Sequence, residues 1–275
     1  MSNTVHLFLY SIISHIIQLK KLDMADWKYV IHFQTADGRA YWSRIDTPEI
    51  PGGTVPGYAS FNDAVQGGEA EEVVIEKLLP PVPNPENEII CIGTNYRKHA
   101  EEAGMEVPEH PQGFVDYEGE LTIVTSKDAK DISVTEADDF ILGYTIGNDL
   151  TARAFQDPKK AGGQFTRAKA FDNFAPVGPV LINAKAFGSL EGKQLITRVN
   201  GKVMQNSGLD LIHGPAKLVS FLSQGTTLPA GSLIMTGTPP GIGFFSTPQL
   251  KLQHDDVVEV EITSLGKLSN TIQFE

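Results

Sequence analysis

Residues 116–126 read DYEGELTIVTS, and residues 140–149 read FILGYTIGND. Strands are expected over 119–126 and 140–148, where β-branched and aromatic residues dominate short runs bounded by polar residues and glycine. Glu118 and Glu120 stand two positions apart, which on extended backbone directs both side chains to one face. Two carboxylates that close repel each other unless one keeps a proton or a cation lies between them. A third acid, Asp149, closes the second strand at the turn into TARAFQ. Three carboxylates with no Cys or His partner form a hard oxygen set suited to Mg2+ or Mn2+. Taken alone, an E-x-E pair on a strand edge is ordinarily a solvated face, so the spacing by itself leaves both readings open.

Outward from these strands the chain stays strand-rich. Residues 88–93 (EIICIG) are a short apolar run of the buried-strand kind, and 97–103 read as a short helix. Asn200-Gly201, within 198–204, supplies the two positive-φ positions of a type I′ hairpin turn. Residues 209–222 carry apolar side chains at three- and four-residue spacings and are expected to form an amphipathic helix. Residues 257–262 (VVEVEI) alternate as a half-buried strand. Upstream, KYVIHFQ and RAYWSRI read as strands, and 79–87 (LPPVPNPEN) as a proline-rich linker. A small N-terminal domain over 24–80 and a larger domain over 88–275 are therefore expected. The absence of regular βαβ alternation makes the class α+β, mainly β.

The bulk properties narrow the partners. A formal net charge of −12 over 275 residues opposes a role in binding nucleic acid, which needs a basic face. An anionic substrate would need a local cluster of positive charge or a bound cation. Cys91 is the only cysteine, so an intrachain disulfide and a thiolate zinc cage are both ruled out. A reducing compartment follows, the cytoplasm first and the mitochondrion as the alternative. The apolar run 5–19 is shorter than the roughly 20 residues of a membrane-spanning helix, and no membrane partner is expected. It also lacks the cationic start and cleavage site of a secretory signal. With a plausible start at Met24, residues 1–23 are expected to be a non-native or disordered extension.

From residue 89 onward the chain carries, in order, CIGTNYRKH (91–99), DYEGEL (116–121), GYTIGNDLTAR (143–153), KAFDNFAPVGP (169–179), VNGKV (199–203) and LIMTGTPPGIG (233–243). This ordered set resembles the fumarylacetoacetate hydrolase superfamily. The resemblance implies a mixed β-sandwich roll of that superfamily's C-terminal-domain type behind a small N-terminal domain, usually as a homodimer. It implies Glu118, Glu120 and Asp149 as ligands of Mg2+ (or Mn2+), and Lys169 as a catalytic lysine. Arg153, Gln156 and Thr238 match the superfamily's substrate-contacting positions. Arg and Lys suit that role because they give charge-assisted hydrogen bonds to carboxylate or enolate oxygens. His99 and Glu102 are the acid–base candidates: three residues apart on a helix they share a face, and the carboxylate can orient the imidazole.

The activity so implied is Mg2+- or Mn2+-dependent hydrolysis of a C–C bond in a small acylpyruvate- or fumarylpyruvate-like 1,3-dicarbonyl acid. The reaction would run through an enolate stabilised by the cation and Lys169, with His99 and Glu102 activating water. An oxaloacetate-type decarboxylase or an isomerase of aromatic catabolism shares that enolate and stays open. One departure supports a third reading. Members usually carry a Lys-Pro-containing stretch ahead of the D-x-E-x-E strand, whereas here only residues 105–115 (MEVPEHPQGFV) make the connection. That connection is shorter by roughly twenty residues, a length typical of a lid. A weakly active or inactive homologue is the reading that follows from it.

Overall fold

The structure is a computed structural model that describes residues 27–83, 89–91, 114–158 and 164–274. The extension expected over 1–23, the helix expected over 97–103, and most of the shortened connection lie outside these residues. The larger sheet runs β4-β3-β2-β1-β12-β10-β8-β16-β6, with β5 also paired to β1. Its strands are β1 (Tyr29–Gln34), β2 (Ala40–Ile45), β3 (Thr54–Tyr58), β4 (Ala70–Val74), β5 (Lys77–Leu79), β6 (Ile89–Cys91), β8 (Gly119–Thr125), β10 (Ile141–Asn148), β12 (Val177–Asn183) and β16 (Leu233–Met235). A second sheet, ordered β14-β13-β17-β18, comprises β13 (Gln194–Val199), β14 (Lys202–Gly208), β17 (Val257–Ile262) and β18 (Gly266–Thr271). Two small ladders complete the set: β7 (Val115–Asp116) with β11 (Thr151–Ala152), and β9 (Ala129–Lys130) with β15 (Thr227–Leu228). Helices are short: α1 (Phe61–Gln66), α2 (Thr166–Lys169), α3 (Ala184–Phe187) and α4 (Pro215–Leu222).

The two sheets pack as a mainly-β sandwich around one apolar core. Leu121, Ile123, Ile146 and Ile182 of the larger sheet meet Leu195, Val260, Ile262 and Leu268 of the smaller one. On its other face the larger sheet carries Val30, Trp42, Val124, Leu142, Leu181 and Leu233, clustered with Phe61 of α1. Every residue of β8 and β10 is consequently buried. Coverage on both faces explains why these two strands read as continuous apolar runs while β17, half covered, alternates. The expected mixed β-sandwich roll is what the chain forms. All ladders of the larger sheet are antiparallel except β16 with β6, whose register sets Met235 beside Cys91.

The proline-rich stretch separates two sequence segments without separating two sheets, since β1 pairs β12 with Tyr29 opposite Ile182. The expected hairpin at Asn200-Gly201 is present, with φ of 50° and 79° at the two turn residues. The helix expected over 209–222 is shorter and begins only at Pro215. Proline at the first helical position has no N–H to satisfy, and Gly214 caps it with extended backbone, so the helix starts there. The preceding apolar residue Leu209 is buried from non-helical backbone.

Candidate metal centre

Antiparallel pairing of β8 with β10 brings the three acids together. The register sets Glu120 opposite Gly147 and Gly119 opposite Asn148. Continued by one residue, it sets Asp149 beside Glu118, and the Asp149 N–H donates to the Glu118 carbonyl at 2.8 Å. The Asn148 side chain accepts from the Glu118 N–H at 3.1 Å, which holds that corner closed. Glu118, Glu120 and Asp149 each place a carboxylate oxygen within 4.8 Å of the others, and all three are buried. Glu118 lies just ahead of β8, and its carboxylate and that of Glu120 reach one site.

Two cations join them. Lys169, at the end of α2, donates from Nζ to Glu118 Oε2 at 3.0 Å and to Asp149 Oδ2 at 2.6 Å. Arg153 reaches Glu118 Oε1 with Nη2 at 2.7 Å. Burial works against the charge of the Lys169 ammonium, but the surrounding carboxylates of Glu118, Asp149 and Glu120 outweigh it and raise its pKa. The opposite holds for Glu120: burial, then repulsion from Asp149 and Glu118, pushes its carboxyl well above the usual range. A backbone donor, the Gly237 N–H at 2.6 Å, opposes that shift.

Among the described residues the cluster holds four acids, Asp116, Glu118, Glu120 and Asp149, against Arg153 and Lys169. Fully ionised, it carries two negative charges more than positive. That balance, with three hard oxygen donors converging in a buried site, fits a divalent cation of the Mg2+ or Mn2+ kind. It fits a monovalent cation or an anion poorly.

Three more expected residues fall on this site. Arg153 is buried, and its guanidinium is engaged by Asp116, Glu118 and Gln156 Oε1, the last at 3.0 Å from Nη1. Thr238 is 2 % exposed, and its hydroxyl donates to the Gly119 carbonyl at 3.0 Å while accepting from Gln205 Nε2 at 2.8 Å. Gln205 also accepts from the Gly119 N–H at 3.1 Å, so the second sheet grips β8 between the two glutamates. Gln156 is half-buried beside Arg153. His99 and Glu102 lie outside the described residues. Asp116 and Gln205, which brace the site from outside the triad, are not among the residues expected from the sequence. For Asp116 a signal existed: residues 116, 118 and 120 form an every-second-residue run of acids. Gln205 gives none, because its role arises from sheet packing.

Such a fold and site define a class: mainly-β sandwich proteins with a buried three-carboxylate centre on a central strand. The family model for the fumarylacetoacetate hydrolase C-terminal domain matches residues 110–273. The chain belongs to that family. Oxaloacetate tautomerase YisK of Bacillus subtilis is 40% identical over 222 residues, covering 71% of this chain and 73% of that protein. The structure of a fumarylacetoacetate hydrolase from Exiguobacterium antarcticum matches with a TM-score of 0.73 at 30% identity, over 90% of this chain and 100% of that one. A fumarylpyruvate hydrolase from Pseudomonas aeruginosa, in complex with Mn2+ and pyruvate, matches with a TM-score of 0.61 at 28% identity, over 73% and 93%. No helix among the described residues is long and apolar enough to cross a membrane.

Proposed function

We propose that this chain is a divalent-cation-dependent enzyme that interconverts the enol and keto forms of oxaloacetate or a closely similar 2-oxo dicarboxylic acid. The observation that carries the reading is the buried Glu118, Glu120 and Asp149 triad with the Lys169 ammonium seated on its rim. A cation held there supplies Lewis-acid polarisation of an oxygen at the 2-position. Lys169, kept protonated by the carboxylates, offers N–H donors to the oxygen on which negative charge develops, and its place on the triad fixes their direction. Gln156, held through its Oε1 by Arg153, can turn its amide N–H toward a substrate carboxylate. Tautomerisation moves a proton between carbon and oxygen and needs no attacking water. It therefore makes smaller demands than hydrolysis on the shortened 105–115 connection. The similarity to the Bacillus subtilis tautomerase supports this order of preference.

Hydrolysis of a fumarylpyruvate-like acid is the second reading, supported by the likeness to the Pseudomonas aeruginosa hydrolase. It would use His99 and Glu102 to activate water. The two separate in one assay series on enol oxaloacetate, fumarylpyruvate and acetylpyruvate, each with Mn2+ and with EDTA, against Mn2+ alone as background. Faster decay of the enol absorbance without pyruvate release is the expected result. Pyruvate release from fumarylpyruvate or acetylpyruvate would transfer the assignment to the hydrolase. Metal-independent turnover, or none above background on any substrate, would reject both.

A further inference from the structure

Asp116 is fully buried and two residues ahead of Glu118, outside the triad but joined to it through Arg153. Its Oδ1 accepts from the N–H groups of Tyr117 at 2.9 Å and Gly243 at 2.8 Å. Its Oδ2 accepts from the Phe244 N–H at 3.0 Å and from Arg153 Nε and Nη2 at 2.9 and 2.8 Å. Burial pushes the Asp116 carboxyl up, while the five donors, two of them from the Arg153 guanidinium, favour its charged form. The approach of the 243–244 backbone requires glycine at 243, where a Cβ would run into the Leu250 carbonyl and approach Asp116 Oδ1 to 2.7 Å. The β7–β11 ladder, with Thr151 opposite Asp116, brings Arg153 over the same carboxylate. Arg153 Nη2 then spans from Asp116 to Glu118 Oε1.

We propose that Asp116 is a positioning residue for the metal centre: by sharing Arg153 with Glu118, it aims the Glu118 carboxylate and preserves the negative charge a divalent cation requires. The inference rests on the metal assignment above. Asp116 occupies the Nε–Nη2 edge of the guanidinium and shares Nη2 with Glu118. Without the Asp116 charge, Arg153 would be left with Glu118 as its one buried carboxylate partner. It would then neutralise Glu118 and compete with the cation for it. Partners behind a ligand commonly matter this much: their loss costs about 10- to 100-fold in metal affinity.

The test is the Mn2+ dissociation constant, read from the electron paramagnetic resonance signal of free Mn2+, for three proteins beside the wild type. Asp116→Asn keeps shape and acceptor oxygen but removes one negative charge, and should weaken Mn2+ binding by about 10- to 100-fold. Asp116→Asn combined with Arg153→Gln removes one charge of each sign and should recover at least half of that loss on a logarithmic scale. A purely structural role for Asp116 predicts no such recovery. Wild-type affinity in folded Asp116→Asn, or a double variant as weak as the single, overturns the proposal. If Asp116→Asn does not fold, the double variant, which buries no unpaired charge, is compared with wild type directly. Near-native affinity then supports charge sharing and a hundredfold loss overturns it. Glu120→Gln in the same titration tests the triad as the metal site, so the two readings fail separately.

Discussion

Lys169 shows how much the function depends on the partners of one side chain. Its ammonium sits 2.6 Å from Asp149 and 3.0 Å from Glu118, which holds it protonated and makes it a donor, not a base. Lys169→Met should therefore lower kcat by about 10²- to 10³-fold, the usual loss for one oxyanion donor. Mn2+ should bind Lys169→Met at least as tightly as wild type, because a competing positive charge has left the triad. A parallel measurement of turnover and Mn2+ affinity checks both, and a joint loss of the two would show that Lys169 acts as a structural tie. At this scale much was legible in advance: residue type and spacing brought Glu118, Glu120 and Asp149 forward as candidates, and the family resemblance favoured the metal reading over a solvated face. The partners of Arg153 and Thr238 in the fold, Asp116, Glu118 and the Gly119 carbonyl, were not legible in the same way.

At the scale of elements, the site depends on how closely the second sheet approaches β8. Gly119 lies between the two glutamates, and a Cβ there would collide with Thr197 Oγ1 and come within 2.9 Å of Val260 on the opposing sheet. Gly119→Ala should destabilise the fold by about 1–3 kcal/mol, as overpacking does. It should also weaken metal binding, because the strand that carries Glu118 and Glu120 must shift. Urea unfolding and Mn2+ titration would test this, and unchanged stability would mean that the sheets are not in close contact there. Strands β8, β10 and β17 and the Asn200-Gly201 hairpin were readable from residue type and periodicity. The start of α4 was overextended because apolar spacing continues through 209–214, while Gly214 and Pro215 decide where the helix begins.

For the whole molecule, the consequence of burying three acids in one core is that stability and metal binding are linked. A cation that binds only the folded state stabilises it by about 2.7 kcal/mol at a hundredfold excess over its dissociation constant. For a chain of this size that corresponds to a rise in Tm of about 5–10 °C. Mn2+ should produce such a rise in wild type and little in Glu120→Gln, followed by thermal melts with and without EDTA; an equal rise in both would place the cation elsewhere. By itself the sequence determined the mainly-β class, the central strands and the acids that can hold a cation, because these follow from side-chain periodicity and the ordered motifs. Only the tertiary structure decided that strands from both sides of the proline-rich stretch share one sheet, through β1 and β12. It alone decided that Asp116, Gln205 and Gly237 support the triad from outside it. Those roles depend on pairing and close packing between residues as much as 128 positions apart, and no local pattern in the chain encodes such distances.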